Sequence, residues 1–159
     1  MTTIQNNIIE IKDENKITIN NIDNYRLQFI DGNLILERII PFIDEETLLN
    51  KDLRNSNIKE CKINGISNNS NKYNKLLLFL YSDMEKESLL NHTILNIREE
   101  EINERGYKYY ENLELSIQRA DAKTTLKEII NISKIKKCKI ELKIRLNNDE
   151  DIYFILKND

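Results

Sequence analysis

The sequence predicts an α+β fold: an antiparallel-dominated β-sheet with two helices, arranged as pseudo-duplicated strand–helix–strand–strand halves. Three observations carry that expectation. Several short segments alternate apolar and polar residues at a period of two, the mark of a half-buried strand. Asp44 and Asp121 each stand just before a stretch with helical apolar spacing. The order of segments in residues 1–83 also matches the order in residues 84–159.

Tyr25 to Phe29 alternates, Asp31-Gly32-Asn33 turns the chain, and Leu34 to Ile39 alternates again, which predicts a hairpin. Ile8 to Ile11 and Lys16 to Ile19 read as two shorter strands ahead of it. Pro41 stops the second hairpin strand. Asp44 then caps a helix with Glu45 and Glu46 in its first turn, where the helix dipole favours negative charge, and Leu48, Leu49 and Leu53 on its apolar side. Ile58 to Ile63 reads as a strand and Ser67 to Asn74 as a polar loop. Lys75 to Tyr81 reads as a continuous apolar strand in mid-sheet.

The second half starts near Met84. His92 to Ile97 reads as a strand, Glu99 to Glu101 as a solvated segment, and Tyr107 to Arg119 as one long strand. Asp121 caps a helix over Ala122 to Lys134. Cys138 to Leu146 has the cleanest alternation: Cys138, Ile140, Leu142, Ile144 and Leu146 on one face, Lys139, Glu141, Lys143 and Arg145 on the other. Asn147 to Asp151 turns the chain into a last strand, Ile152 to Leu156.

Laid side by side, Asn33–Leu36 matches Asn112–Leu115, and the Asp44 helix matches the Asp121 helix. Ile58–Ile63 matches Ile135–Ile140, and Leu76–Leu80 matches Ile152–Leu156. Internal repeats over 1–83 and 84–159 would place Cys61 and Cys138 as equivalent buried strand residues. They would place Leu76–Leu80 and Ile152–Leu156 as equivalent central strands. In topology alone, with no residue motif behind it, a tandem of strand–helix–strand–strand units resembles the domains of DNA sliding clamps. Such clamps need a basic inner surface, which this charge balance does not supply.

A length of 159 residues fits one domain, residues 1–159, able to bury a core without staples. Ile, Asn and Lys dominate, Val and Trp are absent, and Ala occurs only at Ala120 and Ala122. Residues with AT-rich codons are thus in excess, which points to an AT-rich genome such as those of some bacteria, phages and large DNA viruses. Because Ile favours strands whatever its origin, alternation is the better guide to strands here.

The net charge is −3. Residues 1–83 hold 12 acidic and 10 basic residues, and the remainder 15 and 14. With no basic excess or stripe, nucleic-acid binding is disfavoured. The longest apolar run, Leu76 to Tyr81, is too short for a membrane span. Met1 to Asn7 lacks a secretory pattern, so the expected location is cytoplasmic. Two cysteines and no export signal suit free thiols in a reducing compartment.

No catalytic kit is legible. His92 is the only histidine and sits in no motif, so neither a nucleophile pair nor a zinc site is expected. Three isolated glycines exclude phosphate-loop and dinucleotide fingerprints. No cofactor or metal is expected.

The surface feature that stands out is basic: Lys136, Lys139, Lys143 and Arg145, with Tyr107 and Tyr109 as aromatic anchors for a partner. Lysine on an exposed strand also protects an edge from aggregation, so the patch has a structural account beside the functional one. The expected function is a small non-enzymatic protein-interaction module of the inhibitor, immunity-type or phage or virus accessory kind. The alternatives are a virion-type assembly module that self-associates and, behind it, a clamp-like nucleic-acid accessory protein.

Overall fold

The computed structural model describes residues 2–5, 8–11, 25–38 and 41–157, with side chains described for 30–35 and 41–157. The chain forms two compact units, Met1–Pro41 and Phe42–Asp159.

In the first unit, β1 (Thr2–Gln5) pairs antiparallel with β2 (Ile8–Ile11). The expected hairpin is present as β3 (Tyr25–Ile30) and β4 (Asn33–Arg38). Asp31 and Gly32 both take positive φ, 50° and 78°, the combination a two-residue hairpin turn demands. The strand expected at Lys16–Ile19 lies outside the described residues.

The second unit is built on a five-stranded sheet. Its strands are β5 (Phe42–Ile43), β6 (Asn57–Ile63), β7 (Ile66–Asn68), β11 (Ile140–Arg145) and β12 (Asp151–Leu156), in the order β5-β12-β11-β6-β7. Only the β5–β12 pairing is parallel. A second sheet has β10 (Leu115–Gln118) between β8 (Ile97–Arg98) and β9 (Tyr107–Tyr110), all antiparallel. Four helices stand among the described residues: α1 (Glu45–Leu49), α2 (Tyr73–Tyr81), α3 (Lys86–His92) and α4 (Ala122–Lys136). The class is the mixed α+β, mostly antiparallel one expected, with two more helices.

Alternation works as it should on β11 and β12. Ile140, Leu142 and Ile144 are buried with Ile152, Phe154 and Leu156, and they join Leu76, Leu77 and Leu80 of α2 and Leu126, Ile129 and Ile130 of α4 in one core. On β6 the apolar spacing is irregular: Ile58 and Cys61 are three apart, yet both are buried. The pairing with β11 explains this, since Glu60 faces Lys143 while Ile58 faces Ile144. Lys59 is therefore an extra residue, a bulge that turns Ile58 back to the core side.

The main correction concerns Lys75–Tyr81, which is helix rather than strand. The run is rich in Leu, a good helix former without β-branching. A short apolar run cannot tell a buried helix from a buried strand by period alone. Leu76, Leu77, Leu80 and Tyr81 are buried, whereas Phe79 is 51 % exposed, which is the pattern of a helix with one outer side. The segment read as a strand from His92 forms instead the end of α3 and a loop, and β8 begins only at Ile97.

Tyr107–Arg119 is a hairpin, not one strand. Leu113 N and Glu114 N bond to Tyr110 O and Glu111 O, and Glu114 takes φ 53°. The expected loop at Ser67–Asn74 yields its start to β7, which turns back from β6 through Asn64-Gly65, with φ 52° and 79°.

The half-to-half correspondence does not survive these assignments. Leu76–Leu80 is helix where Ile152–Leu156 is strand. Ile135–Ile140 spans the end of α4 and the entry to β11, while Ile58–Ile63 lies within β6. Cys61 and Cys138 are both buried, but Cys138 precedes its strand. What does match is the helix start. Asp44 and Asp121 each accept from the backbone N–H of a threonine three residues on, Thr47 and Thr124, at 2.7 Å. The order strand–helix–strand–strand does recur, as β5-α1-β6-β7 and β10-α4-β11-β12, but the segments matched in the sequence do not fall on equivalent elements.

Candidate functional site

The expected partner patch is split by the fold. Lys143 and Arg145 project from β11 on the face of the five-stranded sheet opposite the helical core. Lys139 sits just before that strand, and Lys136 lies in the last turn of α4. Tyr107 and Tyr109 belong to β9, in the other sheet, and are half-buried.

Each of the four cations has an acidic neighbour. Lys136 Nζ donates to Leu80 O at 2.7 Å and to the Asp83 carboxylate. That contact holds the Asp83 carboxyl below the usual carboxylate range. Lys139 lies 3.9 Å from Glu141, and Lys143 lies 3.8 Å from Glu60 and 4.0 Å from Asp151. Arg145 grips Asp151 through Nε at 2.8 Å and Nη2 at 3.2 Å. Its hydrogen bond lowers the Asp151 pKa, and the same contact raises that of Arg145.

The outer sheet face is therefore a lattice of both signs rather than a basic row. Register sets its rows: Glu60, Lys143, Tyr153 and Phe42 align across β6, β11, β12 and β5. Lys143 Nζ stands 5.7 Å from the Tyr153 ring centre, and Phe42 beside it is 39 % exposed. Phe42 and Tyr153 went unnoticed in the sequence because no local pattern joins residues so far apart.

A second polar cluster was also invisible in the sequence. Glu128 on α4 is fully buried. It accepts from Tyr81 Oη at 2.5 Å, from the Thr93 hydroxyl, from Ile94 N at 3.3 Å and from Asn131 Nδ2 at 2.9 Å. Burial, with the Glu128 contact adding, pushes the Tyr81 phenol well above its ordinary value. The nearby His92 is exposed. Its Nδ1 lies 2.8 Å from Ser88 O, and its own carbonyl accepts from Asn131. The cluster ties α2, the end of α3 and α4 together and brings no imidazole to the carboxylate.

Cys61 is buried, and desolvation pushes its thiol up to about 11, which disfavours the nucleophilic thiolate. Among the described residues no group of three or more His, Cys, Asp or Glu could hold a metal ion, and no helix is long and apolar enough to cross a membrane.

A cleft of about 440 Å³ opens between the first turn of α2, β9 and the connection from β10 to α4. Lys72, Lys108 and Arg119 line it with Asn74 and Tyr110, over a floor that includes Ile117. Among the described residues no carboxylate lines it. Lys108 Nζ stands 5.3 Å from the Tyr110 ring centre.

No family model matches the chain, and comparison with curated proteins and with solved structures finds no match.

Proposed function

We propose that the chain is a small non-enzymatic protein-binding module that docks its partner on the outer face of the five-stranded sheet. The observation that carries this reading is the cross-strand row Glu60–Lys143–Tyr153–Phe42, an aromatic pair set among ordered charges. Aromatic anchors inside a charged surround are the usual make-up of a protein–protein contact. The mixed signs on this face suit a protein surface of complementary pattern better than a polyanion.

Inhibitors, immunity-type proteins and phage or virus accessory proteins work through such faces. The weak nucleophilicity of Cys61 and the peripheral, backbone-tethered His92 fit a binding role. Two buried cysteines, Cys61 and Cys138, suit a reducing, cytoplasmic setting.

The test compares the wild-type chain with a Lys143→Glu/Tyr153→Ala double variant, each immobilised and exposed to a lysate of the source organism. The expected result is a protein retained stoichiometrically by the wild type and lost by the variant. Equal retention by both, or no stoichiometric retention by either, refutes the assignment to this face.

A further inference from the structure

Several basic side chains of this unit are matched to carboxylates. Arg54 pairs with Asp52, Lys134 with Glu45, Lys136 with Asp83, Lys143 with Glu60 and Asp151, and Arg145 with Asp151. The cleft beside α2 instead gathers three cations around one cavity. Lys72, Lys108 and Arg119 converge there, and among the described residues none of the three is in an ion pair. In a chain of net charge −3, three cations around one cavity with no carboxylate in its lining form a local positive well.

The nearest acid along the chain is Asp121, and its carboxylate is turned to Thr124 N as the cap of α4. It lines a neighbouring cleft, which Arg119 and Ala122 border as well.

The frame that holds these cations is fixed. Arg119 N bonds to Gly106 O at 2.8 Å, which ties the entry to α4 back to the start of β9. Gln118 Nε2 donates to Arg105 O and Gln118 Oε1 accepts from Asn96, so the wall beside Arg119 is already braced. Lys108 is held over the Tyr110 ring. The side chain of Lys72, which has no acceptor atom, leaves the first turn of α2 without a side-chain cap. The backbone N–H groups there add positive potential to the same cleft.

Leu95, Ile117 and Ala122 add apolar surface to the lining, with Ile117 directly across β9–β10 from Lys108. The volume of about 440 Å³ falls in the range that takes a small organic ligand rather than a bare ion.

We propose that this cleft binds a small organic phosphate. Lys72, Lys108 and Arg119 hold the phosphate oxygens, and the ligand's apolar or planar body lies against Tyr110 and Ile117. Arginine suits the phosphate oxygens through its fork of donors, and the two lysines supply point charges. The site is separate from the outer sheet face and does not depend on the reading given for that face.

Calorimetric titration of the full chain with ADP and with pyrophosphate tests the proposal. ADP is expected to bind saturably, more tightly than pyrophosphate, and less tightly as salt rises. Arg119→Ala and Lys72→Ala should each weaken ADP by about tenfold or more, as expected for losing one charge-assisted contact. Lys143→Ala, on the sheet face, should leave it unchanged. Lys72 and Arg119 are exposed, so the fold is expected to tolerate both changes, and circular dichroism checks that it does.

Four results would overturn the proposal: no saturable binding of either ligand at millimolar concentration, equal binding of the two, binding indifferent to Arg119 and Lys72, or tighter binding of a random single-stranded oligonucleotide through the same residues. The last would make the cleft a nucleic-acid contact.

Discussion

The Tyr81 hydroxyl donates to the Glu128 carboxylate at 2.5 Å, joining α2 to α4 across 47 residues of chain. Glu128 is fully buried and is the main acceptor for the Tyr81 and Thr93 hydroxyls. Glu128→Ala leaves the Tyr81 and Thr93 hydroxyls and the Ile94 amide without that acceptor. A loss of about 3 kcal/mol or more in urea unfolding is expected. Tyr81→Phe alone should cost about 1–2 kcal/mol. A double-mutant cycle of Tyr81→Phe with Glu128→Gln should show a coupling of about 1 kcal/mol or more rather than additivity.

The Asn64-Gly65 turn gives a cleaner test of backbone strain. Gly65 has φ 79°, and a Cβ built there meets nothing within 4 Å. Gly65→Ala therefore probes conformation alone. It should destabilise the chain by roughly 1–2 kcal/mol, the cost of a left-handed L-residue, measured by thermal or urea unfolding. Gly65→Asn should recover part of that loss, since Asn tolerates this region better.

Acid should unfold the protein through its paired aspartates. The hydrogen bond to Thr124 lowers the Asp121 pKa, the one to Lys136 lowers that of Asp83, and the one to Arg145 lowers that of Asp151. A carboxyl with a depressed folded pKa binds fewer protons folded than unfolded in that window, so stability rises with pH there. The contribution is complete above the ordinary Asp value of about 3.9 and fades as pH falls through the lower folded values. Solvent screening keeps each of these exposed contributions small. Urea midpoints should hold steady near neutrality and drop on acidification below about pH 4, and Asp121→Asn should flatten the slope.

Cys61 is expected to resist thiol reagents in the folded state. The residue is 3 % exposed, and burial raises its thiol pKa to about 11. Labelling by an aromatic disulfide reagent should be slow in native buffer and fast in denaturant. Fast native labelling at Cys61 would contradict its burial.

Local chemistry made part of this fold legible, and what stayed hidden has physical causes. Asp31-Gly32 and the aspartate caps at Asp44 and Asp121 act through neighbours in sequence, and each is found as expected. Asn64-Gly65 carries the same hairpin signal as Asp31-Gly32, but the polar stretch after it read as loop. Leu76–Tyr81 was ambiguous in principle, because a run with no polar position has no period. The outward Lys143 and Arg145 of β11 were readable; their carboxylate neighbours Glu60 and Asp151 were not, since strand pairing decides which residues meet. Glu128 looks like any helix-surface glutamate until α2 is known to lie against α4. The unpaired cations of the cleft come from three separate segments, and only the fold sets Lys72, Lys108 and Arg119 around one cavity.

The extra residue at Lys59 has a consequence for how this chain can vary. On β11 and β12 the stability of the fold should follow strict two-residue beats, with Leu142 and Phe154 intolerant and Lys143 and Tyr153 replaceable by hydrophilic residues without unfolding. Along β6 the beat should slip by one step at Lys59, where two permissive positions, Lys59 and Glu60, stand between the intolerant Ile58 and Cys61. Deleting either one would restore even spacing in the sequence. It would remove the bulge and leave Ile58 opposite Ile144 in the core, so a single-codon deletion there should be tolerated better than one within β11 or β12, where it would turn the residues beyond it to the other face.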